Sequence, residues 1–155
     1  MKETIGDFES NVFRKSFVKS KPFSHLDINN FLNEEKASEI LKELLKEKFY
    51  EKESDLFKFL QTDDLNFTKN KILKELRNFL CSREFIEYIE KITGLKLKSG
   101  VIDMAGSIYR NTDYLLCHDD LLEGRKIAYL FYLSDFDLKD GGSLNLFSSK
   151  KGLPD

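Results

Sequence analysis

Apolar residues recur at the helical period in three segments of the N-terminal part of the chain. Between Asn33 and Lys48 they fall at i, i+3, i+4, i+7 and i+8, and Asn33 is a candidate N-cap. The pattern predicts two more helices, over Lys69–Leu80 and from about Ser82 to a stop at Gly94. The predicted apolar faces contain Ala37, Ile40, Leu41, Leu44 and Leu45; Ile72, Leu73, Leu76, Phe79 and Leu80; and Phe85, Ile86, Ile89 and Ile92. We expect the three helices to share one core.

After Gly94 the period changes to that of strands. The segments with this pattern are short, rich in β-branched and aromatic residues, and separated by turn-forming residues. They are Val101–Tyr109, Tyr114–Leu116, Lys126–Leu133 and Ser143–Phe147. Because residues 127–133 are apolar at both odd and even positions, this strand should be covered on both faces. The order predicts an α+β fold, with helices packed on a jelly-roll sheet, a partial double-stranded β-helix.

The predicted domain covers residues 22–155, and residues 1–21 read as a weakly ordered lead-in or an edge strand. The chain of 155 residues is long enough for one hydrophobic core, with 41% hydrophobic and 34% charged residues. A net charge of −2 gives no electrostatic footprint for direct nucleic-acid binding. No apolar run suggests a signal peptide or a membrane span. The two cysteines lack metal or redox spacing, which favours a reducing compartment, the cytoplasm or the nucleus.

The residues that suggest chemistry are His118 and Asp120. They stand two apart at the end of a predicted strand, so an extended backbone places both side chains on the same side. An imidazole and a carboxylate that converge in this way are two of the three ligands of the 2-His-1-carboxylate triad, which binds iron(II) and leaves other positions open. The alternative is a histidine that caps backbone groups beside two solvated aspartates.

The surrounding segments carry a more specific resemblance. LLCHDDLLEGRKIAYLFYL (Leu115–Leu133) and GGSLNLF (Gly141–Phe147) resemble the prolyl 3-hydroxylase family of iron(II)- and 2-oxoglutarate-dependent oxygenases. Residues Asp55–Leu65 and the opening at Pro22-Phe23 match the same family in the same order. Members of this family hydroxylate a proline of a small-subunit ribosomal protein, and we expect the chain to form the N-terminal portion of such an enzyme.

The resemblance implies roles for three residues. His118 and Asp120 would be iron ligands, and Tyr132 would contact the cosubstrate 2-oxoglutarate through its hydroxyl group. From periodicity alone, a core aromatic of a buried strand is the better interpretation of Tyr132, so its role rests on the resemblance. The resemblance also implies iron(II), the cosubstrate 2-oxoglutarate and ascorbate, and a ribosomal protein as substrate.

Other family features have no match in the sequence. The family's distal iron-binding His and its 2-oxoglutarate-binding Arg come from later strands; His25 lies too early for the first, and Arg110 and Arg125 too early for the second. The sequence therefore predicts a jelly roll truncated within its sheet. Its exposed strands would make the chain aggregation-prone unless a partner or further C-terminal chain covers them. An inactive remnant that serves as a protein-binding module, or has no function, is the alternative to an enzyme.

Overall fold

The helices form where hydrophobic periodicity and capping residues coincide. The computed structural model describes residues 10–120, 124–135, 139, 141–150 and 153–154. Within them, α1 covers Ser10–Lys19, α2 Glu34–Leu44, α3 Lys71–Leu80 and α4 Arg83–Thr93. None of the helices in these residues is long and apolar enough to cross a membrane.

Three of the helices begin within about two residues of the predicted positions, and α3 and α4 also end where the sequence predicts. The side chains of Asn33, Asn70 and Ser82 accept hydrogen bonds from the first backbone N–H groups of α2, α3 and α4. Gly94 ends α4 in the left-handed conformation, with φ of 78°, which glycine adopts without steric cost. The second helix is shorter than predicted, because the chain turns after Leu44. Leu45 therefore leaves the apolar face and is 56% exposed.

Helix α1 was not predicted: Ser10–Lys19 form a helix where the sequence suggested a weakly ordered lead-in or an edge strand, and residues 1–9 of that segment lie outside the described residues. None of the side chains of α1 is buried. It contacts α4, far away in sequence: the Arg14 guanidinium lies 3.3 Å from the carbonyl oxygen of Lys91 and 3.4 Å from that of Ile92. Because these are the last carbonyls of α4, Arg14 satisfies groups that the helix itself cannot.

A four-stranded antiparallel sheet follows the second helix. Strand β1 (Phe49–Glu53) pairs along its length with β2 (Phe57–Thr62). The opposite edge of β2 pairs with two short strands, β3 (Ser107–Ile108) and β4 (Tyr114–Leu115). Strands β5 (Ser149–Lys150) and β6 (Leu153–Pro154) form a separate antiparallel pair. The arrangement of helices and antiparallel sheet confirms the predicted α+β class at this level.

Three predicted strands are shorter or absent. Only Ser107 and Ile108 of the predicted Val101–Tyr109 strand pair in the sheet, and the described residues 126–133 and 143–147 form no β-strand. Composition favours extended backbone in these segments, but a strand also needs a hydrogen-bonded neighbour. Sequence composition does not show whether that neighbour is present.

One core joins the helices to the chain that follows them. Ile40, Leu73 and Ile92 are the most completely buried large side chains, each with 2% exposure or less. Residues 127–133 pack against this core with alternate side chains, those of Ile127, Tyr129, Phe131 and Leu133. The rings of Phe131 and Tyr129 approach those of Phe31 and Phe85, with centroid distances of 5.6 and 5.8 Å respectively. The prediction that both faces of this segment are covered is wrong for the described residues, since Leu130 and Tyr132 on the other face are 63% and 56% exposed.

Candidate metal centre

The loop that carries His118 and Asp120 is fixed to the sheet immediately before it. In β4, Leu115 lies opposite Phe57 of β2, and the next residue, Leu116, donates its backbone N–H to the carbonyl oxygen of Leu56 at 2.9 Å. The Tyr114 hydroxyl also donates to the carbonyl oxygen of Ser54, at 3.1 Å. His118 therefore lies two residues after Leu116, whose backbone is hydrogen-bonded to the sheet.

The imidazole of His118 is oriented by its own loop. Its Nδ1 lies 2.9 Å from the carbonyl oxygen of Leu116. Since a carbonyl oxygen can only accept, this contact places the proton of the neutral ring on Nδ1 and leaves a lone pair on Nε2. Metal-binding histidines commonly make the same backbone contact with the nitrogen that is not a ligand.

Nε2 of His118 faces the carboxylate of Asp120. The distance from Nε2 to Oδ1 is 3.7 Å, so the two side chains converge as their i, i+2 spacing predicts. Imidazole nitrogens and carboxylate oxygens bind divalent metals such as zinc at about 2.0–2.2 Å, so two ligand atoms of one ion lie within roughly 4.4 Å of each other. The pair is also accessible, with side-chain exposures of 38% and 57%. His118 and Asp120 therefore fit as two ligands of a divalent ion.

The described part of the chain does not supply a third ligand. No group of three or more His, Cys, Asp or Glu side chains within it could hold a metal ion. The other histidine, His25, lies in the turn after α1, where its Nδ1 contacts the carbonyl oxygen of Phe23 at 2.9 Å and its backbone N–H donates to Ser20 Oγ. That His25 is not the distal ligand stays a prediction.

Tyr132 lies on the exposed face of residues 127–133, opposite the face that packs on the core. The expectation of a core aromatic is therefore wrong at this position. Burial raises the pKa of Tyr109, and Tyr132 and Asp113 raise it further. Sequence reasoning did not identify Tyr109, because the two phenols come from distant parts of the chain.

A guanidinium group also belongs to this site. Nη1 of Arg125 lies 3.4 Å from Oδ1 of Asp120, the same oxygen atom that faces His118. Sequence reasoning considered Arg125 only as a partner for 2-oxoglutarate. Spacing alone does not predict the contact of Arg125 with Asp120.

Comparison with known proteins gives the site a context. Residues 104–155, which include the His118 loop and Tyr132, match the 2OG-Fe(II) oxygenase superfamily. The chain is 42% identical over 134 residues to prolyl 3-hydroxylase OGFOD1 of Mus musculus, in an alignment that covers 85% of this chain and 24% of the relative. It is 36% identical over 149 residues to prolyl 3-hydroxylase OGFOD1 of Xenopus laevis, covering 95% of this chain and 29% of the relative.

A third relative differs in the reaction that its name states. Prolyl 3,4-dihydroxylase OGFOD1 of Ostreococcus tauri is 36% identical over 152 residues, which cover 88% of this chain and 29% of the relative. The chain thus spans about a quarter of the length of the curated relatives it matches. It is a homologue of these prolyl hydroxylases, and its residues 104–155 carry a 2OG-Fe(II) oxygenase domain match.

Proposed function

We propose that this protein, in its complete form, is an iron(II)- and 2-oxoglutarate-dependent dioxygenase that hydroxylates a prolyl residue of a small-subunit ribosomal protein. The observation that carries the proposal is the orientation of His118, whose Nε2 faces Asp120 while Nδ1 contacts the Leu116 carbonyl. The proposal rests equally on the homology to prolyl 3-hydroxylases. We also propose that the complete protein forms the full jelly roll of the superfamily, including strands that are absent from the described residues.

Each residue of the site has a separate task. The backbone contact of His118 selects the tautomer in which Nε2 is free to bind the metal, and Asp120 supplies an anionic oxygen beside it. Bound iron(II) would supply the oxidising chemistry, in which dioxygen and 2-oxoglutarate are consumed: one oxygen atom enters succinate as carbon dioxide is released, and the other enters the prolyl ring as a hydroxyl group. The third protein ligand would come from outside the described residues.

Tyr132 and Tyr109 are candidates to bind the cosubstrate. Burial and Tyr132 raise the pKa of Tyr109, and its phenol, like that of an ordinary tyrosine, can donate a hydrogen bond at neutral pH. Tyr132 is on the exposed face of residues 127–133, where a further part of the jelly roll or a partner would cover it. We propose that the face with Tyr132, once covered in this way, forms one wall of the 2-oxoglutarate pocket.

The cellular setting is also a proposal. We propose that the protein acts in the cytoplasm or the nucleus. The free thiols of Cys81 and Cys117 support a reducing compartment of this kind, and ribosomal proteins are present in both. Ascorbate would restore iron(II) after unproductive oxidation. Fractionation of cells that express the complete protein tests its location.

The test of the enzyme function uses the complete protein with iron(II), 2-oxoglutarate and proline-containing peptides of small-subunit ribosomal proteins. We expect succinate to form and one peptide to gain the mass of one oxygen atom on proline. His118→Ala and Asp120→Ala should each abolish both signals. Asp119→Ala is the matched control, since it removes an adjacent exposed carboxylate of the same loop and should retain turnover.

The alternative is a catalytically inactive module that binds protein. It is favoured by the fact that the described residues hold two candidate ligands rather than three. Under this alternative the complete protein would give no succinate with any ribosomal peptide, yet would still bind a partner when His118 is changed to Ala. Stoichiometric iron binding that depends on His118 and Asp120 would exclude it.

A further inference from the structure

Arg125 contacts Asp120 at the oxygen atom that a metal would need. Its Nη1 lies 3.4 Å from Oδ1, and Nε2 of His118 lies 3.7 Å from the same atom. A carboxylate oxygen has two lone-pair directions, so one can point to a metal beside His118 while the other accepts from Arg125. The guanidinium and the metal thus need not exclude each other.

The two partners differ in exposure. Asp120 lies outside the helices and strands, and its side chain is 57% exposed. The side chain of Arg125 is 33% exposed, and Arg125 stands two residues before Ile127, which packs on the core together with Tyr129. Arg125 is therefore the less exposed partner and lies next to a segment that packs on the core.

We propose that Arg125 is a positioning residue for the metal ligand Asp120. This inference rests on the proposed metal site. The guanidinium holds the carboxylate in the rotamer in which Oδ1 faces His118, as outer hydrogen bonds hold metal-binding carboxylates elsewhere. Repulsion between Arg125 and a divalent ion acts in the opposite direction, but both groups are near solvent, where water and salt screen it.

The experiment measures affinity for Mn(II) alone, without cosubstrate, on the complete protein. Free Mn(II) is quantified by electron paramagnetic resonance as protein is added. Arg125→Ala should weaken binding by about 10–100-fold, the usual effect of removing an outer partner of a metal ligand. Arg125→Lys should recover part of this loss, since Lys keeps the charge but lacks the planar fork. Arg83→Ala, which breaks an exposed ion pair with Glu87 on α4, is the matched control and should not change Mn(II) affinity.

The outcomes separate this inference from the proposed function. If His118→Ala leaves Mn(II) binding unchanged, the metal site itself is wrong. If His118→Ala abolishes binding while Arg125→Ala leaves the affinity unchanged or increases it, the site stands and the positioning role of Arg125 is overturned. The urea midpoint of unfolding of Arg125→Ala should match that of the wild type, because an exposed ion pair contributes little to stability. If Arg125→Ala shifts this midpoint, its loss of Mn(II) affinity could come from a damaged fold, and the affinity of Arg125→Lys then decides between the two causes.

Discussion

The helical region, formed by α2, α3 and α4, and the region that follows α4, the described residues of 97–147, make different use of their apolar side chains. In the first, α2, α3 and α4 direct them into one core, where Leu73 and Ile40 are each 1% exposed. In the second, apolar side chains alternate between a face that packs on this core and a face that does not. Leu130, Tyr132 and Leu144 remain more than half exposed.

The difference follows from how each kind of backbone satisfies its hydrogen bonds. A helix pairs its own N–H and C=O groups, so it needs a neighbour only for its apolar face. A strand needs a second strand for its backbone, and a strand that is apolar on both faces also needs cover on both. Within the described residues, α2, α3 and α4 therefore bury their apolar faces, whereas residues 127–133 bury one apolar face and expose the other.

The largest expected effect compares one leucine from each region. Leu73→Ala empties a position that is 1% exposed and should lower the free energy of unfolding by about 2–5 kcal/mol, through lost burial and a cavity. Leu130→Ala removes a side chain that is 63% exposed and should change it by less than about 0.5 kcal/mol. Urea denaturation followed by circular dichroism measures both.

Equal losses for Leu73→Ala and Leu130→Ala would contradict the comparison. That result would mean that the face with Leu130 is buried in solution, for example by self-association. Because the free energy of an associating protein depends on its concentration, repeating the measurement at several protein concentrations identifies this case.

The next effect concerns the joint between the two regions. Gly106 and Thr62 are joined by two hydrogen bonds, one between backbone groups and one from the Gly106 N–H to Thr62 Oγ1, each at 3.0 Å. A Cβ atom at Gly106 would lie 2.6 Å from Cδ1 of Leu44 on α2. Gly106→Ala should therefore destabilise the protein by about 1–3 kcal/mol, the range for overpacking.

A double-mutant cycle tests the cause. In a Leu44→Ala background the added methyl group has room, so Gly106→Ala should cost less there than in the wild type. If the two changes are additive, the clash with Leu44 is not the reason, and the loss arises from the Gly106 backbone instead. Unfolding by urea measures all four proteins.

The same contrast explains what could be predicted from sequence. The start of α2 and the end of α4 were predictable, because their caps Asn33 and Gly94 act within a few residues, whereas the end of α2 was predicted four residues too late. Helix α1 was missed since its main partner, the end of α4, is distant in sequence. The pairing of residues 126–133 was overestimated because composition shows that a segment suits a strand but not whether a neighbour exists.

The candidate site divides in the same way. The convergence of His118 and Asp120 follows from a spacing of two residues and was predictable, although their role as iron ligands stays a prediction. The proximity of Arg125 to Asp120 and the influence of Tyr132 on Tyr109 depend on how the chain folds, so they were not predictable from sequence. Local geometry is readable from sequence, and long-range placement needs the structure.

The smallest expected effect concerns the connection that leaves α4. The carboxylate of Glu90 accepts the backbone N–H of Leu97 at 2.8 Å and lies 3.3 Å from Nζ of Lys96. The hydrogen bond to Leu97, and then Lys96, lower the pKa of Glu90 below its ordinary value of 4.5, although partial burial opposes this. A lowered pKa in the folded state means that the carboxylate stabilises the fold above pH 4.5, and that this contribution is lost as the pH falls through the lowered pKa.

Glu90→Gln should therefore make the free energy of unfolding less dependent on pH below 4.5, since the amide keeps an acceptor for Leu97 but does not titrate. Glu87→Gln is the control, because it removes a carboxylate from the same helix without touching the Leu97 contact. Urea unfolding at a series of pH values measures the slope. A slope that Glu90→Gln leaves unchanged would show that this carboxylate does not join α4 to the chain that follows. The first residues after the helical region would then be held only by their apolar contacts, such as that of Leu97 with the core.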